Sequence, residues 1–290
     1  MWSSARAAEG RAGLTVRGRR FAWGERTYLM GVVNATPDSF SGDGLEDPEA
    51  AIARAVAFAS GHADIVDVGA ESTRPGFVPV DAEEECRRLL PVVRGIRARA
   101  PEAVLSIDTY KPAVFAAAHA AGGDILNCID GPSDALLATA ATCAAPVVIM
   151  HNQPVAAYAG DVVDEVLRFL EREAERAVRA GIPAAHVILD PGIGFGKTPE
   201  HNLAVLAALA RFPALGFPTL LGTSRKSTLG KLTGRRVADR SYATAATVAL
   251  AVAAKFDIVR VHDVDAMRDV ARVSDAIVRG WRPSAWDISG

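Results

Sequence analysis

Eight short apolar runs recur along the chain, each closed by polar or turn-forming residues: 29–33, 65–68, 104–107, 124–126, 146–150, 186–189, 218–221 and 258–261. Between several of them the apolar positions fall three and four apart, the spacing of one helix face. The segment 161–180 (DVVDEVLRFLEREAERAVRA) carries acids early and arginines late, as the helix dipole favours, and Gly181 follows as a C-cap. The segment 47–60 opens on Asp47-Pro48, an N-cap residue followed by proline at the first helical position. Segments 81–100, 198–211, 243–255 and 264–280 read the same way. The strands are apolar throughout rather than alternating, and they alternate with helices. That pattern predicts a parallel sheet covered on its outer face.

Eight such units predict an α/β fold, a single (β/α)8 TIM barrel, with an open doubly wound sheet as the alternative. Ahead of the first strand, 14–28 contains Val16-Arg-Gly-Arg and Trp23-Gly-Glu, which read as an N-terminal β-hairpin extension able to plug the bottom of the barrel. Residues 1–13 are expected to form a flexible N-terminal segment, and 14–290 a single domain. No linker, repeat or low-complexity tract divides the chain. At 290 residues it is long for one average domain but ordinary for a barrel.

Composition narrows this picture. Half of the residues are hydrophobic and 23% are charged, enough to build a large core. A formal net charge of -2 lacks the basic excess of a nucleic-acid binder. Cys86, Cys128 and Cys143 are odd in number and form no CxxC, which argues against a disulfide framework or a structural zinc site. Residues 1–20 have no apolar signal region, and their arginine-rich, acid-poor make-up resembles a transit peptide in composition only. No apolar run reaches the roughly 18 residues needed to span a bilayer. A soluble, cytoplasmic protein is expected.

The chemistry concentrates just after each strand. Asn34, Thr36 and Asp38 follow the first; Asp67, Glu71, Thr73, Arg74 and Pro75 the second; Asp108 and Thr109 the third; Asn127 the fourth; His151 and Gln153 the fifth. Strand six runs into Asp190 and a glycine-rich stretch ending at Lys197, the seventh into 223–227 (TSRKS), and the eighth gives Arg260, His262 and Asp263. In a barrel these loops meet on one face, where such enzymes carry their chemistry. Carboxylates at buried strand ends need a partner or a polar ligand, which favours a pocket. Asp67 and Glu71 are read as helix caps or loop buttresses, and His151 as either a wall residue or a ligand contact. Arg260 and His262, two apart on a strand, both point inward and suit an anion. The run 192–197 satisfies neither nucleotide-binding glycine pattern: Pro191 stands where the Walker motif needs glycine, and Lys197 where GxGxxG does.

Taken together, GVVNATPDSFS (31–41), ESTRPG (71–76), SIDTYKP (106–112), DPGIGFGK (190–197), GTSRKS (222–227) and RVHDV (260–264) resemble the dihydropteroate synthase family over nearly the whole chain. The resemblance implies condensation of 6-hydroxymethyl-7,8-dihydropterin pyrophosphate with p-aminobenzoate, giving dihydropteroate and pyrophosphate. It implies a pterin slot from Asp108, Asn127, Asp190 and Lys226, and a p-aminobenzoate patch from Thr73, Arg74, Pro75, Phe195, Lys226 and Ser227. It further implies a pyrophosphate clamp from Asn34, Arg74, Arg260 and His262, with Asn34 contacting Mg2+. Asp38, Arg74, Lys226, Arg260 and His262 are then the candidate catalytic residues, with Asp38 and Arg74 pairing across loops 34–47 and 71–80 as these close. A homodimer and inhibition by sulfonamides are also implied.

The chain departs from the family pattern at Ala70, Cys128, Asn152, Pro154 and Lys255-Phe256, and Cys128 is read as a small core residue. A non-catalytic pterin-binding paralogue and a folate-dependent methyltransferase are the competing readings. The intact Lys226, Arg260 and His262 argue against the first, and the SRKS and RVHD segments fit the second poorly.

Overall fold

The computed structural model describes residues 11–35, 47–71, 79–283 and 286. Eight parallel strands form the central sheet: β3 (Tyr28–Asn34), β4 (Ile65–Gly69), β5 (Leu105–Asp108), β6 (Ile125–Cys128), β7 (Val147–Met150), β8 (Val187–Asp190), β9 (Leu220–Leu221) and β10 (Ile258–Val261). β10 pairs with β3, and a parallel bridge between Leu189 and Thr219 joins β8 to the start of β9, so the order around the barrel follows the chain. The expected barrel is present.

Outside it run α1 (Pro48–Ser60), α2 (Ala82–Arg99), α3 (Pro112–Ala120), α4 (Asp134–Thr142), α5 (Val162–Arg179), α6 (Pro199–Ala207), α7 (Ser227–Thr233), α8 (Ser241–Ala253) and α9 (Val264–Val278). Asp47, Asp81 and Asp161 each cap a helix N-terminus with a side-chain oxygen, as their positions ahead of apolar periodicity predict. Three expectations need correction. The segment 198–211 is not one helix: α6 stops at Ala207 and two 3-10 turns, Leu209–Arg211 and Pro213–Leu215, carry the chain to Gly216. Pro213 lacks the N–H a helix continuing through it would need. The fourth strand lies at Ile125–Cys128 rather than 124–126. The seventh shrinks to Leu220–Leu221, with Thr219 ahead of it in a single parallel bridge to Leu189.

The hairpin is where the sequence placed it. β1 (Leu14–Val16) pairs antiparallel with β2 (Arg19–Phe21), and Arg17 and Gly18 turn between them at φ 47° and 74°. Both central residues of a type I′ turn need positive φ. Leu14, Phe21 and Trp23 pack with Met30, Ile65, Val104, Ile125, Val148, Ile188, Leu220 and Ile258 in one cluster. Every one of those strand residues sits at or near the start of its strand, so the hairpin plugs the bottom of the barrel. The alternate strand residues, among them Leu29, Val66, Leu105, Leu126, Val147, Val187 and Val259, join the second cluster under the helices. Residues 1–10 lie outside the described residues. Arg11, just after them, donates to both oxygens of Asp257 at 3.2 and 2.8 Å.

Candidate functional site

Strand alternation carries the inward face upward two residues at a time. Above the apolar floor, that face bears Val32, Asp67, Ser106, Asn127, Met150, Asp190, Gly222 and Arg260. Above these stand Asn34, Gly69, Asp108 and His262. On β4, β8 and β10 the barrel therefore changes from apolar to ionisable within one step of the strand, and on β5 and β6 to polar, at the C-terminal ends where barrel enzymes hold their ligands.

Asp67 corrects one expectation. Among the described residues it caps no helix and buttresses no loop. It is fully buried inside the barrel, where it receives Arg260 Nε at 2.7 Å and Asn127 Nδ2 at 3.2 and 3.1 Å. Its place follows from the inward parity it shares with Ile65. Arg260 also donates from an Nη to Asp108 at 3.2 Å, so one guanidinium bridges carboxylates from β4 and β5. Asp108 has its proton affinity raised by burial and by neighbouring Asp67, with Arg260 opposing both. Gly69 makes room for it, since a Cβ there would lie 3.3 Å from the Asp108 Cβ.

Asp190 lies across the mouth. Its Oδ1 accepts the Gly192 N–H at 2.7 Å, while burial pushes its carboxyl up to about 6. Lys226, buried and placed just before α7, is pushed down to about 8 by burial and by the like charge of Arg260. Its ammonium sits 3.8 Å from the centre of the Phe195 ring, a cation–π contact. Asp108, Asp190, Lys226 and Arg260 thus lie within electrostatic reach of one another, with Asn127 joined to them through Asp67 and Phe195 through Lys226, and Ser227 begins α7.

His262 is neutral rather than cationic. Burial first, then the charges of Arg260, Arg225 and Lys226, push its imidazole down to about 3. The Ser224 hydroxyl, itself buried, accepts the His262 backbone N–H at 3.2 Å and lies 2.9 Å from Nδ1. The Ser224 hydroxyl can donate to Nδ1, and in that tautomer the ring proton of His262 is on Nε2.

Glu71 is the loop buttress expected of it. It accepts the Val80 N–H at 2.8 Å, the Tyr110 hydroxyl at 3.3 Å and Lys111 Nζ at 2.8 Å. His151 is a wall residue: its ring packs edge-on against Phe169, and its Nδ1 lies 2.8 Å from Lys197 Nζ. Burial, then nearby Lys197, push this imidazole down to about 3, and burial pushes Lys197 down to about 7. Cys128 is a buried core residue with its thiol pushed up to about 12 by burial. Asn152, a departure from the family pattern, donates to Asp130. Asp38, Thr73, Arg74 and Pro75 lie outside the described residues.

Sequence reasoning missed three contributors. Ser224 stood inside a motif but had no assigned task, and Lys197 was read only against nucleotide-binding patterns. Asn202 carried no signal at all. Buried in α6, it accepts the Gly194 N–H at 2.8 Å and donates to Thr228 at 3.0 Å, tying the glycine-rich loop to α7.

A parallel barrel with an apolar floor and a mouth of paired carboxylates, amide and cations defines an enzyme of the (β/α)8 class. Comparison with known proteins is more specific. Residues 30–262 match the family described as pterin binding enzyme. The dihydropteroate synthase of a Synechocystis strain is 40% identical over 273 residues, covering 90% of this chain and 93% of that protein. The dihydropteroate synthase from Clostridium difficile, solved in the presence of pteroic acid, superposes with a TM-score of 0.85 at 40% identity, covering 89% of this chain and 99% of that one. The enzyme from Thermus thermophilus in complex with 6HMPPP gives 0.80 at 40% identity, covering 91% and 99%. The chain belongs to the dihydropteroate synthase family of pterin-binding enzymes.

Proposed function

We propose that this chain condenses 6-hydroxymethyl-7,8-dihydropterin pyrophosphate with p-aminobenzoate to give 7,8-dihydropteroate and pyrophosphate. The observation that carries the reading is the shared mouth in which Asp108, Asn127, Asp190 and Lys226 converge beside Arg260 and His262. A pterin presents amide and amidine edges, which need acceptors and donors placed in a plane. Carboxylates at Asp108 and Asp190, the Asn127 amide and the Lys226 ammonium supply both. Such a slot rejects mismatched rings because they leave its buried groups unpaired.

Arg260 and the Nε2–H of His262 bind the departing pyrophosphate, with Arg74 as a further partner. Asn34 ends β3 on the inward face, beside the strand that carries Arg260. Its amide oxygen is a hard donor of the kind Mg2+ takes, and among the described residues no group of three or more His, Cys, Asp or Glu competes for the ion. One protein oxygen fits a magnesium whose other ligands come from phosphate and water, and when bound the ion would neutralise pyrophosphate charge. Loss of pyrophosphate leaves positive charge on the pterin methylene, which the buried carboxylates of the slot stabilise. The p-aminobenzoate amine attacks that carbon while neutral, so no strong base is needed. Its ring lies against Phe195, Thr73, Pro75 and Lys226, and Ser227 receives the carboxylate. Asp38 and Arg74 pair as their loops close over the site.

The active form is a homodimer in the cytoplasm, and sulfonamides compete with p-aminobenzoate. The test is to incubate the protein with both substrates and Mg2+ and identify the product. Dihydropteroate supports the reading. Pterin binding without product would make the chain a non-catalytic binder, and methyl transfer from a folate donor would make it a methyltransferase.

A further inference from the structure

We propose that Lys197 is a positioning residue for the p-aminobenzoate subsite, its terminal amino group pinning the 192–197 loop to His151 so that the Phe195 ring stays stacked on Lys226. This rests on the reading of Phe195 given above. Lys197 Nζ lies 2.8 Å from His151 Nδ1, 3.0 Å from the Gly192 carbonyl and 3.1 Å from the Phe195 carbonyl. Three polar partners thus surround one amino group, and one of them belongs to Phe195 itself.

Around Phe195 the loop is held mainly through its backbone. Gly192 and Gly196 have φ of 68° and 55°, and a Cβ at either would strike the backbone oxygen of His151 or Gln153 at 1.9 or 2.4 Å. Backbone therefore lies directly on backbone there, with no side chain able to pack between. Ile193 anchors the middle of the loop in the core, and the Gly192 N–H is held by Asp190; nearer Phe195, Tyr158 donates to the Gly196 carbonyl at 2.8 Å, and the Gly194 N–H donates to Asn202 at 2.8 Å. Phe195 is half-buried, so its ring is aimed by the loop backbone more than by a surrounding core.

Steady-state kinetics of the full chain test this with Lys197→Met and Tyr158→Phe. In K197M the KM for p-aminobenzoate is expected to rise about tenfold or more, while kcat and the KM for the pterin pyrophosphate change by less than about threefold. Y158F removes one hydroxyl from the same loop and is expected to shift the same KM by about two- to fivefold, which decides the matter if K197M does not fold. An equal rise in both KM values, a fall in kcat alone, or no change would overturn the proposal. Wild-type protein that makes no dihydropteroate would overturn the parent reading instead, so the two failures are distinct.

Discussion

Arg260 Nε lies 2.7 Å from Oδ2 of Asp67, and that carboxylate is fully buried between β10 and Asn127 of β6. The pair fixes a cation at the level where the barrel turns from apolar to polar, with its second arm free to reach Asp108 and the ligand space above. A guanidinium held this way loses less freedom when an anion arrives.

Removing Asp67 should therefore harm both stability and the site. Asp67→Ala leaves a largely buried guanidinium short of its main partner, a loss of about 3–5 kcal/mol for pairs of this kind. Urea unfolding should show it as a lower midpoint with an unchanged slope. A midpoint within error of wild type would mean that the pair contributes nothing.

Asp190 and Asp108 make stability depend on pH in a direction that can be stated. Folded, both hold their protons more tightly than an ordinary carboxyl, Asp190 up to about 6. Their contribution is whole below about pH 4, where unfolded carboxyls titrate, and fades as pH rises through the folded values. The unliganded protein should lose roughly 2–3 °C of Tm between pH 5 and pH 8 from Asp190 alone. Asp190→Asn should flatten that slope in thermal scans; an identical slope would contradict the assignment. Pterin affinity should run the opposite way, strengthening as the carboxylates ionise to accept the ring's N–H groups.

The hydroxyl of Ser224 should set the donor that His262 presents. Ser224→Ala removes the group 2.9 Å from Nδ1 and frees the tautomer. We expect kcat to fall by about tenfold with the p-aminobenzoate KM unchanged, as for a contact realised in the transition state. A rise in that KM with full kcat would place His262 elsewhere in the reaction.

The hairpin should matter to the fold and not to the chemistry. Phe21 is fully buried at the barrel floor, its ring 4.9 Å from that of Tyr28. Phe21→Ala should cost about 3–5 kcal/mol in chemical denaturation. Both KM values should stay near wild type; a selective change in either would link the floor to the site.

The eight strands could be read from the chain because they are buried on both faces and leave unbroken apolar runs. α3 (PAVFAAAHA) and α4 (DALLATAAT) could not: alanine-rich and apolar on most sides, they lack the contrast that marks a helix face. Asp108, Asn127 and Asp190 were legible because each ends such a run. Asp67 was misjudged although its two-residue step from Ile65 already turned it inward. Lys197 and Asn202 act through contacts with 192–197 that fold back from other strands and helices, and nothing local records them. Four site residues, Asp38, Thr73, Arg74 and Pro75, rest on the family resemblance.

The most direct measurement is product stoichiometry with purified protein, both substrates and Mg2+. The account predicts one pyrophosphate released for each dihydropteroate formed, with turnover sharply reduced when Arg260 or His262 is replaced by alanine. Pyrophosphate release without dihydropteroate, or unchanged turnover in both variants, would contradict it.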